Sequence, residues 1–433
     1  MKLPDREKLV SHVVQSLSLY WSNNSKIIFS IPISNNQTDL SISIPLRMVS
    51  VSLPQWGEEF GVNGSLLVPR ECIKECQGND SWKKVDWWLA AFLLQECWHE
   101  RLWEKAHGVI HSYSFRLKGW DTRAWDHAWV NRIGLFLRKW LLIENKKEEI
   151  FLGNMPKAKF EISHDVDAVS KTLPIRLKQG AFNFFNSYQL LIKGNFLDSF
   201  KVFGKAIRML LSQEDWWVFE KLMQLEKKAG IQAVYHFYAD DRSKNFKRWL
   251  MDPSYDVSTD QLKSLLGKIK KDGHKIGLHP TFDSWNNSEL LNKQKNFLEH
   301  NLGGKVITCR QHWLRFSWND TWNAQSKAGL ERDSTLMFND RAGFRNSSAL
   351  SWNPWDYENS KSHQIKCLTS VIMDSHLYDY QNITTTVRIC QIEKWLNECK
   401  SVHGECSTLW HPHTLTNDYS WDQGFYDLLE FIK

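Results

Sequence analysis

At 433 residues, 42% of them hydrophobic and 24% charged, the chain has the length of two to three domains and a globular composition. No apolar run reaches the roughly 18 residues of a membrane span. Met1–Lys8 lacks the apolar core of a signal peptide, so the expected compartment is the cytoplasm, with peripheral membrane contact left open. The net charge of +6 comes without a dense Lys/Arg stripe interleaved with aromatics, which argues against nucleic acid and fits an anionic substrate or surface better than a cationic one.

Eight cysteines are scattered, the closest pair being Cys72 and Cys76, with no CxxC pair and no zinc-knuckle spacing. Reduced thiols are expected. Twenty-three tryptophans are an unusual number. Most belong in a core, but such an excess also suits a protein that handles sugars, whose apolar ring faces stack on flat aromatics.

In chain order, residues 1–155 read as a smaller α+β unit. Strand-like runs at Lys26–Ile31, Ser41–Ile44 and Met48–Leu53 are separated by turn residues such as Asn35-Asn36. Val85–Trp98 is apolar almost all round and predicts a buried helix. Val130–Ile143 predicts another, with Ile133, Phe136, Leu137, Trp140 and Leu141 on one stripe. The charged Asn145–Glu149 and the Gly153–Pro156 turn form a linker.

From there to residue 433 strands alternate with helices. Strands are predicted at Phe160–Ser163, Ala233–Tyr238, Lys275–Leu278, Val306–Cys309, Ile365–Met373 and Ser407–Trp410. Helices are predicted at Trp216–Ala229, Thr259–Lys271, Asn287–His300 and Ile392–Lys400. Thr259 is placed to cap the second, and Gly230 and Gly273 to end helices. This alternation implies a parallel sheet or barrel with its chemistry at the C-terminal strand ends. Residues 170–215 are a long insertion rich in Phe, Lys and Asn, helical or a lid.

Reactive side chains gather where those strands end. The first ends in His164-Asp165-Val166-Asp167. Alternation along a strand puts Asp165 and Asp167 on one side, an arrangement that calls for a cation or a shared proton, although Asp is also common at a solvated strand end. The others end in His279–Asp283, Arg310–Arg315, Asp374–His376 and His411–His413. Five strand ends with His, Asp or Arg point to one shared site.

These residues resemble a family. Gly273–His279 is similar to the second motif of polysaccharide deacetylases of the NodB-homology type, and Asp165-Val166-Asp167 to their first. Arg310–Trp313 sits where an Arg-x-Pro-Tyr segment belongs, and Leu409-Trp410-His411 matches the late strand ending in histidine. Ser163–Asp167 and Ala328–Thr335 resemble a bacterial subgroup of candidate deacetylases with an appended N-terminal domain.

The resemblance implies a distorted (β/α) barrel over residues 156–433, and metal-assisted removal of an acetyl or similar acyl group from an amino sugar or polysaccharide precursor. Zinc is the usual metal. Asp165 would be the base, Arg310 its orienting partner and His411 the acid. Asp167 and His279 would bind metal. The family's second histidine, four residues on, is replaced by Asp283, which is expected to complete the ligand set. His312 is the next choice and loss of the metal the third. His312, Trp313, Arg315 and His413 are expected to face substrate, His413 also standing as an alternative acid. The Trp-bearing loops Phe316–Asp320 and Trp352–Trp355 either stack on sugar or cap the barrel. The competing readings are a carbohydrate-binding or assembly protein on an inactive barrel and a transferase.

Overall fold

The N-terminal third wraps apolar helices round a small hairpin. The computed structural model describes residues 2–23, 42–73, 81–379 and 383–433, so the predicted strand at Lys26–Ile31 and Cys76 lie outside the described residues. Of the run at 41–44, residue 41 also lies outside and Ile42–Ile44 form no strand. Helix α1 (Arg6–Ser16) begins at Asp5, whose carboxylate accepts from the Lys8 backbone N–H. Strands β1 (Met48–Ser52) and β2 (Ser65–Pro69) pair antiparallel.

The predicted buried helix at Val85–Trp98 is two helices. All of α2 (Trp87–Gln95) is buried, and α3 (Trp98–His107) follows after Cys97 turns left-handed at φ 43°. The break lets the fully buried Glu96 carboxylate accept from Arg101 Nη2 (2.8 Å), Trp352 Nε1 (3.1 Å) and the Trp355 N–H (2.9 Å), with His12 Nε2 at 2.8 Å. A buried carboxylate without such partners would be costly. Helix α4 (Trp129–Glu144) matches its predicted stripe.

Strands and helices then alternate. Strand β3 (Lys159–Val166) leads into the helical pair α5 (Leu173–Ile192) and α6 (Phe196–Leu211). There follow α7 (Phe219–Ala229), β4 (Val234–Phe237), α8 (Phe246–Met251), α9 (Asp260–Lys271), β5 (Lys275–Leu278) and α10 (Ser288–Leu302). Next come β6 (Thr308–Cys309), α11 (Thr321–Lys327), β7 (Arg332–Asp333), β8 (Ser351–Trp352), and the ribbon β9 (Trp355–Asp356) with β10 (Lys361–Ser362). The chain ends with β11 (Lys366–Leu368), β12 (Ser370–Met373), α12 (Asp374–Tyr378), α13 (Thr385–Ser401), β13 (Glu405–Leu409) and α14 (Asp422–Ile432).

Nine strands form one curled sheet in the order β12-β13-β3-β4-β5-β6-β7-β11-β8, parallel except for β8. The single strand predicted at Ile365–Met373 is split at Thr369. Its first half pairs with β7 and β8 and its second with β13, near opposite ends of the sheet order. Gly230 and Gly273 take positive φ as expected, whereas the Thr259 side chain makes no capping bond. Gly277 allows β4 and β5 to approach closely, since a Cβ there would lie 2.5 Å from the His236 ring and 2.6 Å from Thr308 Oγ1.

One apolar core runs through residues on both sides of position 155. Polar links tie the two parts: Arg345 Nη2 donates to Glu100 Oε2 (2.8 Å), and Asn131 exchanges bonds with the Ala349 backbone. Glu398 of α13 receives Arg132 Nη2 (2.7 Å), His127 Nδ1 (2.9 Å) and the Ala128 N–H (2.9 Å). Burial alone would raise this carboxyl, but Arg132 and His127 outweigh it and hold it at about 2. A depressed carboxyl contributes stability that is present above its ordinary value and lost as pH falls through about 2. Glu398→Gln is therefore expected to lower stability by roughly 3 kcal/mol at pH 7. In urea titrations the gap to wild type should close as pH falls from 5 toward 3; a pH-independent gap would refute the linkage.

Candidate metal centre and active site

The C-terminal ends of β3, β5, β6 and β13 converge on a cavity of about 270 Å³, near the lower end of small-molecule sites. Asp165, Asp167, His279, His312, His411 and His413 all line it. Trp313 stands at its rim, 47% exposed, the one tryptophan among the described residues so exposed. The other tryptophans are mainly core. Phe316, Trp318, Trp322 and Trp352 belong to a separate buried cluster and do not line the cavity.

Asp165 is buried at the end of β3. Its Oδ1 accepts from Arg310 Nη1 at 3.3 Å. Arg310 is fully enclosed and also donates to Ser163 Oγ, Ser370 Oγ, Ser407 Oγ and the Ser334 carbonyl. Burial would raise the Asp165 carboxyl; His279, Arg310 and His236 outweigh it and keep it well below the usual carboxylate range.

Asp167, His279 and His312 each present a ligand atom, and the three atoms lie within 4.8 Å of one another. Asp167 Oδ1 is buried without a hydrogen bond, 3.2 Å from His279 Nε2 and 3.6 Å from His312 Nε2. Donors about 2.0–2.1 Å from a tetrahedral zinc stand about 3.3 Å apart, so these spacings fit. The second ring nitrogen of His279 fits as well. His279 Nδ1 lies 2.8 Å from the Arg310 carbonyl, to which it can only donate, which leaves Nε2 free to ligate. His312 Nδ1 faces Asp252 Oδ1 at 3.8 Å. Burial opposes charge on His279, yet Asp165 and Asp167 raise its affinity for a proton. Surroundings that draw a proton to this ring draw a metal cation too.

Asp283 is not brought to this group. Its Oδ1 accepts from Thr281 Oγ1 (3.0 Å) and lies 3.7 Å from Arg242 Nη2, outside the cavity. The position four residues after His279 lies beyond the strand, in a loop that turns away. His312 arrives from β6, the sheet neighbour of β5. Arg315 also lies outside the lining, its guanidinium 4.0 Å from the centre of the Phe282 ring.

The backbone just beyond His312 is tightly held. Trp313 and Leu314 both take positive φ, 56° and 47°, which is strained for residues with side chains. The Trp313 carbonyl accepts from Asn339 Nδ2 (2.8 Å), and the Leu314 carbonyl from Ser112 Oγ (2.5 Å). Ser112 thus gives the N-terminal third a hold on the loop that carries His312.

On the opposite wall, His411 Nδ1 lies 2.8 Å from Asp374 Oδ1, and its backbone N–H donates to Asp374 Oδ2. Its Nε2 faces Asp167 Oδ2 at 3.5 Å. Burial would lower this imidazole, but Asp374 and then Asp167 raise it to about 10. Burial and the charge of His411 push His413 down to about 4. Its ring stacks on Trp216, with centroids 5.3 Å apart. Of the two histidines, His411 is the one that holds a proton at neutral pH.

Three contributors were not assigned from sequence. His236 Nδ1 stands 3.5 Å from Asp165 Oδ1, and His236 is the register partner of Asp165 across β3 and β4. Strand alternation inside Val234–Phe237 is the signal that could have found it. Asp374 was visible as a strand end without a role. Asp252 sits in the loop after α8 and carries no sequence signal.

No family model matches the chain, and no curated protein matches it. Among solved structures it is similar to a candidate polysaccharide deacetylase from Mycobacterium smegmatis, at TM-score 0.36 and 14% identity over 64% of this chain and 84% of that one. It is also similar to BA3943, a CE4 family pseudoenzyme from Bacillus anthracis, at TM-score 0.29 and 10% identity over 64% of this chain and 63% of that one. A BA3943 mutant with restored enzymatic activity gives the same TM-score and identity. At this level of likeness the functional reading rests on the geometry of the site.

Proposed function

We propose that the protein is a metal-dependent hydrolase that removes an acetyl or similar acyl group from an amino sugar or polysaccharide precursor, in cell-surface polysaccharide metabolism. The observation that carries this reading is the convergence of Asp167, His279 and His312 in one cavity that Asp165 and His411 also line.

Asp167 Oδ1, His279 Nε2 and His312 Nε2 would hold a divalent cation, zinc by the chemistry of the donors. When bound, such a cation polarises an acyl carbonyl and acidifies a bound water. Asp165 takes a proton from the attacking water, and Arg310 keeps its carboxylate ionised and aimed. His411 protonates the departing amine or alkoxide, and Asp374 fixes its ring so that Nε2 faces the cavity. His413 and Trp313 contact the sugar. Residues 1–155 serve as a buttress, through Ser112 and the Glu100–Arg345 pair.

The unusual spacing of His279 and Asp283 favoured an inactive barrel. We answer it with His312 as third ligand, supported by the 3.6 Å between His312 Nε2 and Asp167 Oδ1. Zinc-loaded protein is expected to release acetate from N-acetylated chitooligosaccharides, to lose the activity to a chelator and to regain it with zinc. Absence of release from both N- and O-acetylated oligosaccharides would overturn the assignment.

A further inference from the structure

The helical pair α5–α6 is built inside out for a hairpin facing water. Small and polar side chains lie between its helices, beside one ring pair, Phe184 and Phe203, with centroids 5.3 Å apart. Ser187 Oγ donates to the Ser199 carbonyl (2.9 Å), Ser199 Oγ donates to the Ser187 carbonyl (2.8 Å), and Gly180 packs against Leu210. The apolar side chains point outward. On α5 these are Leu177, Phe185, Tyr188 and Ile192, whose spacing places them on one face. On α6 the stripe Phe196, Phe200, Phe203, Ile207 and Leu211 repeats every three or four residues and is likewise exposed. Leu197 is 78% exposed and Phe200 72%. An apolar surface of this extent is exceptional on a protein that meets only water.

The charge on the hairpin is predominantly positive. Residues 173–211 carry six Lys or Arg and a single acid, Asp198, in a chain whose whole net charge is +6. On α6, the exposed Lys201 and Arg208 flank the apolar stripe on one side, while Lys205 turns back toward Asp379, Tyr419 and Trp421. No described helix is long and apolar enough to cross a membrane. A helix with an apolar face edged by Lys and Arg lies in a bilayer interface.

The surface is continuous with the mouth of the cavity. The Lys178 ammonium donates to the Trp249 carbonyl of α8, where Phe246 is 77% exposed. Trp313 Nε1 donates to the Met251 carbonyl at the end of α8 (3.2 Å). Ile175, Lys178 and Gln179 of α5 line the cavity itself.

We propose that the α5–α6 hairpin, together with α8, docks the protein on an anionic bilayer, with its apolar side chains at the acyl boundary and the exposed Lys201 and Arg208 among the lipid phosphates. Docking holds the cavity mouth at headgroup level. Resting on the hydrolase reading, the substrate class is then an acylated saccharide carried on a lipid anchor.

Flotation of the full-length, metal-free protein with phospholipid vesicles tests the docking without reference to catalysis. Wild type should float with an equal mixture of phosphatidylcholine and phosphatidylglycerol, and far less with phosphatidylcholine alone or at high salt. Leu197→Glu combined with Phe200→Glu should lower the bound fraction about tenfold or more, with unchanged circular dichroism. Lys201→Glu combined with Arg208→Glu should remove the preference for anionic vesicles. Wild type that does not float, or a Leu197/Phe200 variant that floats equally well, would overturn docking. So would a dimer in sedimentation that the same variant disperses while vesicles bind neither form, since a second copy would then be the occupant.

Zinc-loaded protein should release acetate faster from a vesicle-borne acetylated glycolipid than from the soluble oligosaccharide. Hydrolysis of the soluble substrate without vesicle binding would sink this inference and leave the hydrolase reading intact. Vesicle binding without acyl release from any substrate would sink the hydrolase reading and the substrate class, and leave the docking.

Discussion

Replacing His312 by alanine is expected to weaken zinc binding by more than about a hundredfold, while Asp283→Ala leaves it unchanged. Loss of a group that merely orients a ligand costs about 10–100-fold, and loss of a ligand costs more. His312 Nε2 stands 3.6 Å from the unpartnered Asp167 Oδ1, whereas Asp283 is occupied by Thr281 and Arg242. Competition against a chromophoric chelator, with elemental analysis of the purified variants, reads both affinity and stoichiometry. Full zinc in His312→Ala together with loss in Asp283→Ala would restore the ligand set first expected from the spacing of the second motif.

Asp165→Asn is expected to lower acyl hydrolysis roughly 10³-fold, within the usual worth of a positioned base. It should also destabilise the fold by about 3 kcal/mol or more, because it strips the enclosed Arg310 of the carboxylate it pairs with. The two effects can be separated. Asp165→Asn with Arg310→Met removes both charges and should recover much of the stability in urea titrations while remaining inactive. Near wild-type activity in either variant would refute Asp165 as base. A double variant no more stable than the single would refute the account of the buried charge.

Much of the site could be read from local patterns, because its residues follow recognisable strands. Lys275–Leu278 was placed to the residue, and Asp165, Asp167, His279, Arg310 and His411 all stand at or near the ends of predicted strands. What local patterns could not show was adjacency across the sheet. His312 and His279 are far apart in sequence and meet because β5 and β6 are neighbours. His236 reaches Asp165 only through the register of β3 and β4. The break in the helix at Cys97 follows from where the Glu96 carboxylate finds donors in distant segments. The insertion at 170–215 showed its composition but not its polarity, since only packing reveals which face of a helix is left uncovered.

The divided strand at Thr369 has a consequence for how the site is specified. Its first half is registered to β7 and its second to β13, and the next residue, Asp374, grips His411. The sheet is fastened like a belt, by the length of one segment reaching from near one end to the other. A single residue inserted at position 369 would have to be absorbed by slippage on one side. That would shift the strand by about 3.3 Å and turn its alternating side chains to the wrong face. A displacement of that size exceeds the 2.8 Å that joins Asp374 to His411. The count of residues between Leu368 and Asp374, none of which ligates or transfers a proton, is therefore as much a part of the acid's environment as the carboxylate itself.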